Sequence, residues 1–466
     1  MTVADPADLR IEPTPIPGLL VVRLPVHGDA RGWFKENWQR AKMVALGLPD
    51  FEPVQNNVSF NAARGATRGI HAEPWDKFVS VAAGRVFGAW VDLRAGDSFG
   101  AVATVEIGPD TAVFVPRGVG NSYQALEDAT VYSYLVNDHW RPGVAYPAVS
   151  LADETAAIPW PIPLDSAAVE ISAKDRANPR LGEVVPMAPK KTLIVGGHGQ
   201  LGRALASVYP DADVVDRDEL DLTSAVQVAA WPWGEYAVVL NAAAYTAVDA
   251  AETEAGRAQA WAANATAVGR LAALARDHRL TLVHYSTDYV FDGTAKVHDE
   301  DEPLSPLGVY GQSKAAGDIA ATTVPRHYVL RTSWVIGEGN NFVRTMRSLA
   351  ERGISPSVVD DQIGRLTFTD TLAAATRHLL ESSAAYGVYH VSNGGEPLSW
   401  RDIAAQVFAL SGRSPEEVTA TTTAAYAAGK QMAARPLNSV LSLDKLRATG
   451  FEPEDQLLAL RRYLQH

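Results

Sequence analysis

The rhythm of apolar residues changes once along this chain, and that change limits the fold more than any other feature. In the first part, short runs alternate with Gly, Pro, Asn and Asp turns: Leu19–Leu24, Phe78–Val81, Val86–Leu93, Val102–Ile107, Ala112–Val115 and Thr130–Val136. Only Gln39–Leu46 reads as a helix there. Strands at that spacing predict an all-β sandwich or barrel. In the last part, strand-like runs at 192–196, 212–216, 236–243, 280–286, 327–334 and 387–391 alternate with alanine-rich helical stretches at 200–208, 253–278, 309–323 and 341–352. That alternation predicts an α/β domain, a doubly wound parallel sheet with helices on both faces. Between the two, Pro179, Pro186 and Pro189 interrupt an aperiodic stretch. The expected organisation is therefore multidomain: 1–177, a linker at 178–190, and 191–466. Residues 396–466, with helices at 400–411 and 454–464, are expected to form a small lobe over the carboxyl ends of the strands.

Composition removes several functions. A net charge of −13 without a basic stripe argues against nucleic acid as a partner. With no cysteine there are no disulfides, thiolate zinc sites or cysteine nucleophiles. No apolar run approaches membrane-spanning length, and Met1–Arg10 is polar and acidic, unlike a signal peptide. The cytoplasm is the expected compartment. The first part has no histidine between His71 and His139 and no His-x-His, which argues against a metal-binding β-barrel.

Chemistry-bearing motifs concentrate after residue 190. Gly196, Gly199 and Gly202 follow an apolar run and open a helix. Such glycines give a tight turn, backbone approach to a pyrophosphate and close helix–strand packing. Asp216 ends the next strand-like run, where a carboxylate bonds the ribose hydroxyls of NAD; Arg217 beside it suits the 2′-phosphate of NADP. Both NADH and NADPH stay open. Further on, Tyr310 and Lys314 are four apart at a helix start, so they share a face. An ammonium near a phenol favours the phenolate, so Tyr310 is expected to exchange a proton with a carbonyl or hydroxyl. Ser286-Thr287-Asp288 closes the preceding strand-like run.

Several signatures together resemble dTDP-4-dehydrorhamnose reductases, extended short-chain dehydrogenases of the Rossmann type. They are Gly197–Gly202, Asn241–Asp249, His284–Phe291, Val309–Lys314, Arg331–Val335, Asp361–Gly364 and Arg435–Ser439. The resemblance covers about 190–466. It implies a catalytic set of Thr287, Tyr310 and Lys314. The implied cofactor residues are Gly196, Gly199, Gln200, Leu201, Gly202, Asp216, Arg217, Asp221, Leu222, Ala242, Ala243, Ala244 and Tyr245. Thr246, Val248, Tyr289, Trp334 and Arg435 would face the sugar nucleotide. The family sometimes uses Mg2+ at a dimer contact, although no ligand cluster here demands it. One departure is Arg365-Leu366, where a small residue and a proline are usual.

The first part resembles dTDP-4-dehydrorhamnose 3,5-epimerases, which have the cupin jelly-roll fold, over about 14–177. Arg68–His71, Lys77, Asp29–Glu36, Gln55–Ser59, Tyr132–Asp138 and Ile171–Asp175 carry it. The protons flanking the carbonyl of a 4-keto sugar are acidic, and an epimerase needs a base, an acid and a cation for the enolate oxygen. The resemblance implies His71 as base, Asp175 as its orienting partner, Tyr134 as acid and Lys77 as the enolate's cation. Arg31, Phe34, Glu36, Gln55, Asn57, Arg68 and Asn121 would bind substrate. Departures are Asn56-Asn57-Val58 for Asp-Asn-His, Asn121 in an element that usually carries histidine, and Trp140 for a second tyrosine. The combined expectation is a bifunctional, homodimeric enzyme of dTDP-L-rhamnose formation using NADPH or NADH and no metal at either centre. The alternative is a reductase whose first domain is inactive, only binds nucleotide, or takes another 4-keto-6-deoxy sugar.

Overall fold

A computed structural model describes residues 9–141, 146–382 and 384–465. Its contacts divide the chain into two compact units that meet at Pro189 and Lys190.

The first unit is built of antiparallel sheets. The larger has the order Arg10–Pro13, Leu20–Arg23, Thr111–Val115, Lys77–Ala83, Thr130–Val136, Gln55–Asn61. The smaller has the order Thr67–His71, Val119–Ala125, Val86–Asp92, Val102–Ile107. Side chains alternate along a strand, so each sheet sends one set inward. Val79, Val81, Trp90, Val113, Val119 and Tyr132 meet in the core between them. The strands Gln55–Asn61, Thr67–His71 and Val119–Ala125 are polar-rich and escaped the apolar-run criterion. Gly69 lets one of them press close to its neighbour. It sits at φ +116°, and a Cβ there would lie 2.5 Å from Ser122 Cβ and 2.6 Å from the Asn121 carbonyl. The 178–190 stretch packs on this unit: Leu181 is buried with Leu93 and Leu151, and Met187 bridges to Arg94.

The second unit is centred on a parallel sheet, in the order Asp213–Val215, Lys191–Val195, Tyr236–Asn241, Thr281–Thr287, His327–Thr332, Gly387–His390. Adjacent residues serve opposite faces. Leu193, Val239, Leu282 and Val329 enter one core, whereas Ile194, Leu240, Val283 and Leu330 enter the other. A sheet covered on both sides needs continuous apolar strands, which is why these runs were visible. A separate core of Ile336, Val343, Ile403, Phe408 and Leu460 forms the C-terminal lobe.

Besides short unexpected helices such as Ala225–Ala230, two longer helical stretches differ from expectation. The stretch expected as one helix over 253–278 is Glu254–Trp261, a π-turn at Ala262–Thr266, then Ala267–Asp277. Asn264 causes no local sequence signal, but its amide bonds the backbone N–H and carbonyl of Tyr245 and the Ser313 hydroxyl. Those tertiary bonds hold the bulge. Helix Thr369–Glu381 was not expected; it packs Leu372, Ala375 and Leu379 on the sheet.

Candidate active sites

In the first unit a cavity of about 630 Å³ opens against strand Thr67–His71. His71 and Asp175, 104 residues apart, meet there with Nε2 2.7 Å from Oδ1. Asp175 is placed by a short helix, Ala173–Arg176, whose start is capped by Ser172. With Nε2 bound to a carboxylate, Nδ1 is the nitrogen left to take a proton. Lys77, Tyr134, Arg68 and Asn121 also line the cavity. The Lys77 ammonium lies 6.0 Å from the centre of the Tyr134 ring. Burial, followed by the charge of Glu73, raises the Tyr134 phenol above its usual pKa, so it stays a proton donor.

Asn121, in the element where a histidine is usual, accepts hydrogen bonds from Trp90 Nε1 (3.0 Å) and the Tyr132 hydroxyl (3.1 Å). Glu73 was missed by sequence reasoning. It lines the cavity and pairs with Lys77, and its only signal was an acid two residues after His71. Tyr123 and Tyr132, stacked at 4.1 Å, also escaped notice.

Other expected substrate residues lie elsewhere. Arg31 pairs with Asp29 in an exposed hairpin, His27–Asp29 with Gly32–Phe34. Phe34 and Glu36 line a separate cavity of about 330 Å³ with His27 and Lys42. Gln55 donates to Asn57 (2.7 Å) on the outermost strand and meets His139 at 2.7 Å. None of these five lines the His71 cavity within one chain. Val58, where a histidine is usual, is largely exposed but lines the His71 cavity, and Trp140 is largely exposed.

In the second unit a cavity of about 420 Å³ lies at the carboxyl ends of the paired strands Lys191–Val195 and Tyr236–Asn241. Gly196, Gly199, Asp216, Arg217, Asp221, Leu222 and Ala242 to Tyr245 line it. Gly196 takes φ +81°, and a Cβ there would meet Ala243 N at 2.7 Å. A Cβ on Gly202 would lie 2.2 Å from the Gly196 carbonyl, so only glycine lets the helix start this close. Gln200, Leu201 and Gly202 support this turn without lining the cavity: Gln200 Oε1 accepts from Gly337 N (2.9 Å), and Leu201 packs into the core. Helix Gln200–Val208 begins at the turn with free N–H groups. Asp216 accepts from His198 N (2.8 Å) and Arg217 N (2.7 Å). Burial works against its ionisation, yet these bonds hold its pKa below the ordinary value. The Arg217 side chain is 78% exposed, which leaves it accessible to a 2′-phosphate. This donor set and cradle fit a nicotinamide dinucleotide.

Thr287 ends strand Thr281–Thr287, and Tyr310 and Lys314 lie on the first turns of helix Val309–Ala321. Thr287 Oγ1 donates to Asp288 Oδ1 (3.0 Å) and accepts from Tyr289 N (3.2 Å). Lys314 Nζ donates to the Tyr285 carbonyl (2.6 Å). One expectation needs correcting. Burial, followed by the charge of Asp288, pushes the Tyr310 pKa upward, and Lys314 does not offset this. Lys314 is turned to a carbonyl and is itself drawn down to about 8 by burial. Asp288, quoted in the sequence motif without a role, is buried and pushed up to about 6.

Around this centre, Tyr289 meets Tyr310 edge-on at 5.5 Å, and Arg435 pairs with Asp249 at 2.9 Å. Trp334 takes φ +44° and stacks on Trp400 at 3.9 Å. Thr246 and Val248 follow strand Tyr236–Asn241 on the loop from Ala242 to Asp249. Arg365, at the departure from the usual small residue, donates to the carbonyls of Gly395 (2.8 Å) and Leu441 (3.2 Å). Among the described residues no group of three or more His, Asp or Glu converges as metal ligands. That gives the Mg2+ of the resemblance no support.

The second unit is thus a nucleotide-dependent reductase of the short-chain dehydrogenase type, joined to a jelly-roll unit with a His–Asp pair in its cavity. Residues 190–466 match the RmlD substrate binding domain family and residues 13–183 match the dTDP-4-dehydrorhamnose 3,5-epimerase family; the chain belongs to both. It is 49% identical over 184 residues to a protein RmlC homolog of Streptococcus pyogenes serotype M6, covering 38% of this chain and 90% of that one. It is 40% identical over 292 residues to dTDP-4-dehydrorhamnose reductase of Aggregatibacter actinomycetemcomitans, covering 58% and 97%. A crystal structure of dTDP-4-dehydrorhamnose reductase from Bacillus anthracis in complex with NADP is similar at 32% identity and TM-score 0.54, covering 59% of this chain and 99% of that one.

Proposed function

We infer that the chain carries out two consecutive steps of dTDP-L-rhamnose formation. The first unit epimerises dTDP-4-dehydro-6-deoxy-D-glucose at C3 and C5, and the second reduces the C4 ketone. The carrying observation is that His71, Asp175, Lys77 and Tyr134 gather around one cavity of the first unit, and that Thr287 at a strand end and Tyr310 and Lys314 at a helix start lie together in the second.

In the first unit His71, oriented by Asp175, takes the proton beside the carbonyl. Lys77 and Arg68 stabilise the enolate oxygen, and Tyr134 returns a proton from the other side. In the second unit the bound coenzyme supplies hydride to C4. Thr287 holds the C4 oxygen and Tyr310 gives it a proton, with Lys314 binding the coenzyme ribose beside it. Arg217 binds the 2′-phosphate, while Asp216 holds the turn through the backbone N–H groups of His198 and Arg217, so NADPH is the preferred coenzyme. Arg31, Phe34, Glu36, Gln55 and Asn57 serve as substrate residues in a homodimer. Exposed Trp33, Phe34, Val58 and Phe60 support that reading, since apolar side chains on a hairpin and an edge strand favour burial against a second copy. Sedimentation of wild type and Phe60→Lys tests it: dimer and monomer are expected, and a monomeric wild type rejects it. No helix among the described residues is long and apolar enough to cross a membrane. The substrates are metabolites of the cytoplasm, which is the compartment this reading assigns.

The test is coenzyme oxidation by the purified chain, given dTDP-4-dehydro-6-deoxy-D-glucose and no other enzyme. The expected product, by NMR, is dTDP-L-rhamnose. If oxidation needs an added epimerase, the first unit binds nucleotide or acts on another sugar.

A further inference from the structure

Four ionisable side chains lie together behind the reductase centre. Lys314 and Asp318 are one turn apart on helix Val309–Ala321, so they share a face. Arg331 comes from strand His327–Thr332 and His284 from strand Thr281–Thr287. Their exposures are 2%, 1%, 5% and 0%. Burying that many polar groups is costly unless they compensate one another. Arg331 Nε donates to Asp318 Oδ2 at 3.0 Å, and its Nη1 donates to the Glu300 carbonyl at 3.0 Å. His284 stands between the acid and the lysine: Nε2 is 3.5 Å from Lys314 Nζ and 3.9 Å from Asp318 Oδ1. Its other nitrogen, Nδ1, is 3.2 Å from the Asn241 amide.

We propose that Asp318 is a positioning residue of the reductase, whose carboxylate, acting across His284, keeps Lys314 an ammonium beside Tyr310. This deepens the reductase reading and rests on it. Burial and then the charge of Lys314 hold His284 well below its usual pKa, so it is neutral and leaves the Asp318 charge to act on Lys314 through space. Burial draws Lys314 down, and the Asp318 carboxylate acts in the opposite direction. Burial pushes Asp318 up, against the pull of Arg331, Ser286 and Lys314. The remaining groups facing this pair are Tyr310 on the same helix, the Tyr285 carbonyl from the neighbouring strand, and Asp288, whose charge acts on Tyr310. With Asp318 ionised, the cluster holds two cations and one anion. Without it, two buried cations remain, and Lys314 is the one able to give up its proton.

The test uses the full chain and the reverse reaction, oxidation of dTDP-L-rhamnose by NADP+, which needs only the reductase centre. The kcat profile is followed across roughly pH 6 to 10. Wild type is expected to lose activity on the alkaline side as Lys314 titrates. Asp318→Asn is expected to move that limb down by about one pH unit, and Asp318→Glu to return it. Arg331 is left unpaired in Asp318→Asn, which risks misfolding. The double variant Asp318→Asn with Arg331→Met removes that unpaired cation and is expected to show the same displaced limb. A limb at the wild-type position in whichever of these variants folds overturns the proposal. A wild type that does not oxidise dTDP-L-rhamnose overturns the reductase reading itself, and the proposal with it.

Discussion

The two centres reach proton transfer by opposite routes. In the first unit the base is open to solvent: the His71 side chain is 35% exposed and its partner Asp175 only 6%. In the second unit the lysine is 2% exposed and Asp288 2%. At His71 the fold supplies orientation, through the Asp175 carboxylate 2.7 Å from Nε2. A free phenol and a free ammonium titrate far from neutrality, so in the second unit burial and neighbouring charges must set their protonation. The sequence spacings follow the same division. Tyr310 and Lys314 are neighbours on one helix, whereas His71 and Asp175 are joined only by the fold.

The sharpest way to break this comparison is to remove one centre and watch the other. Tyr310→Phe is expected to cut coenzyme-dependent reduction by roughly 10³-fold, while deuterium exchange from solvent at C3 and C5 stays at the wild-type rate. Exchange falling in parallel would mean that the centres do not act separately. His71→Asn is the mirror experiment. Exchange should fall by about 10²-fold or more, with dTDP-L-rhamnose oxidation untouched.

Smaller effects sharpen the contrast. Arg217→Ala should raise KM for NADPH about tenfold and leave KM for NADH nearly unchanged, on the basis of one lost charge-assisted contact. Equal changes for both coenzymes would remove Arg217 from phosphate recognition. The smallest effect concerns stability. Burial raises Asp288 to about 6, above its ordinary value, so the folded chain holds this proton where the unfolded chain has lost it. Stability therefore falls as pH rises through that window, by about 3 kcal/mol. Asp288→Asn should raise the Tm of the second unit at pH ~8 and have little effect at pH ~4. A gain that is the same at both pH values would show that Asp288 is not held protonated.

Much of the second unit was legible because its signals are local. Its strands are covered on both faces and read as continuous apolar runs. Gly196 to Gly202 and Tyr310 to Lys314 encode their geometry within one turn. Helix Thr369–Glu381 was missed because six of its thirteen residues are threonine, aspartate, histidine or glutamate, and they break its apolar residues into short pieces. In the first unit, strands such as Gln55–Asn61 are mostly polar, and that composition hides them from an apolar-run search.

By itself the sequence determined that there are two domains of different class, the dinucleotide turn, and the residue types at both centres. These depend on periodicity and short spacings, which a linear chain records. Tertiary structure decided which side chains actually meet. It brought Glu73 to Lys77 inside one cavity and set Arg31, Gln55 and Asn57 outside it. It bulged the helix at Asn264 and placed Asp318 behind Lys314 with His284 and Arg331. It also reversed the expected effect on Tyr310, because desolvation depends on what surrounds a group in three dimensions.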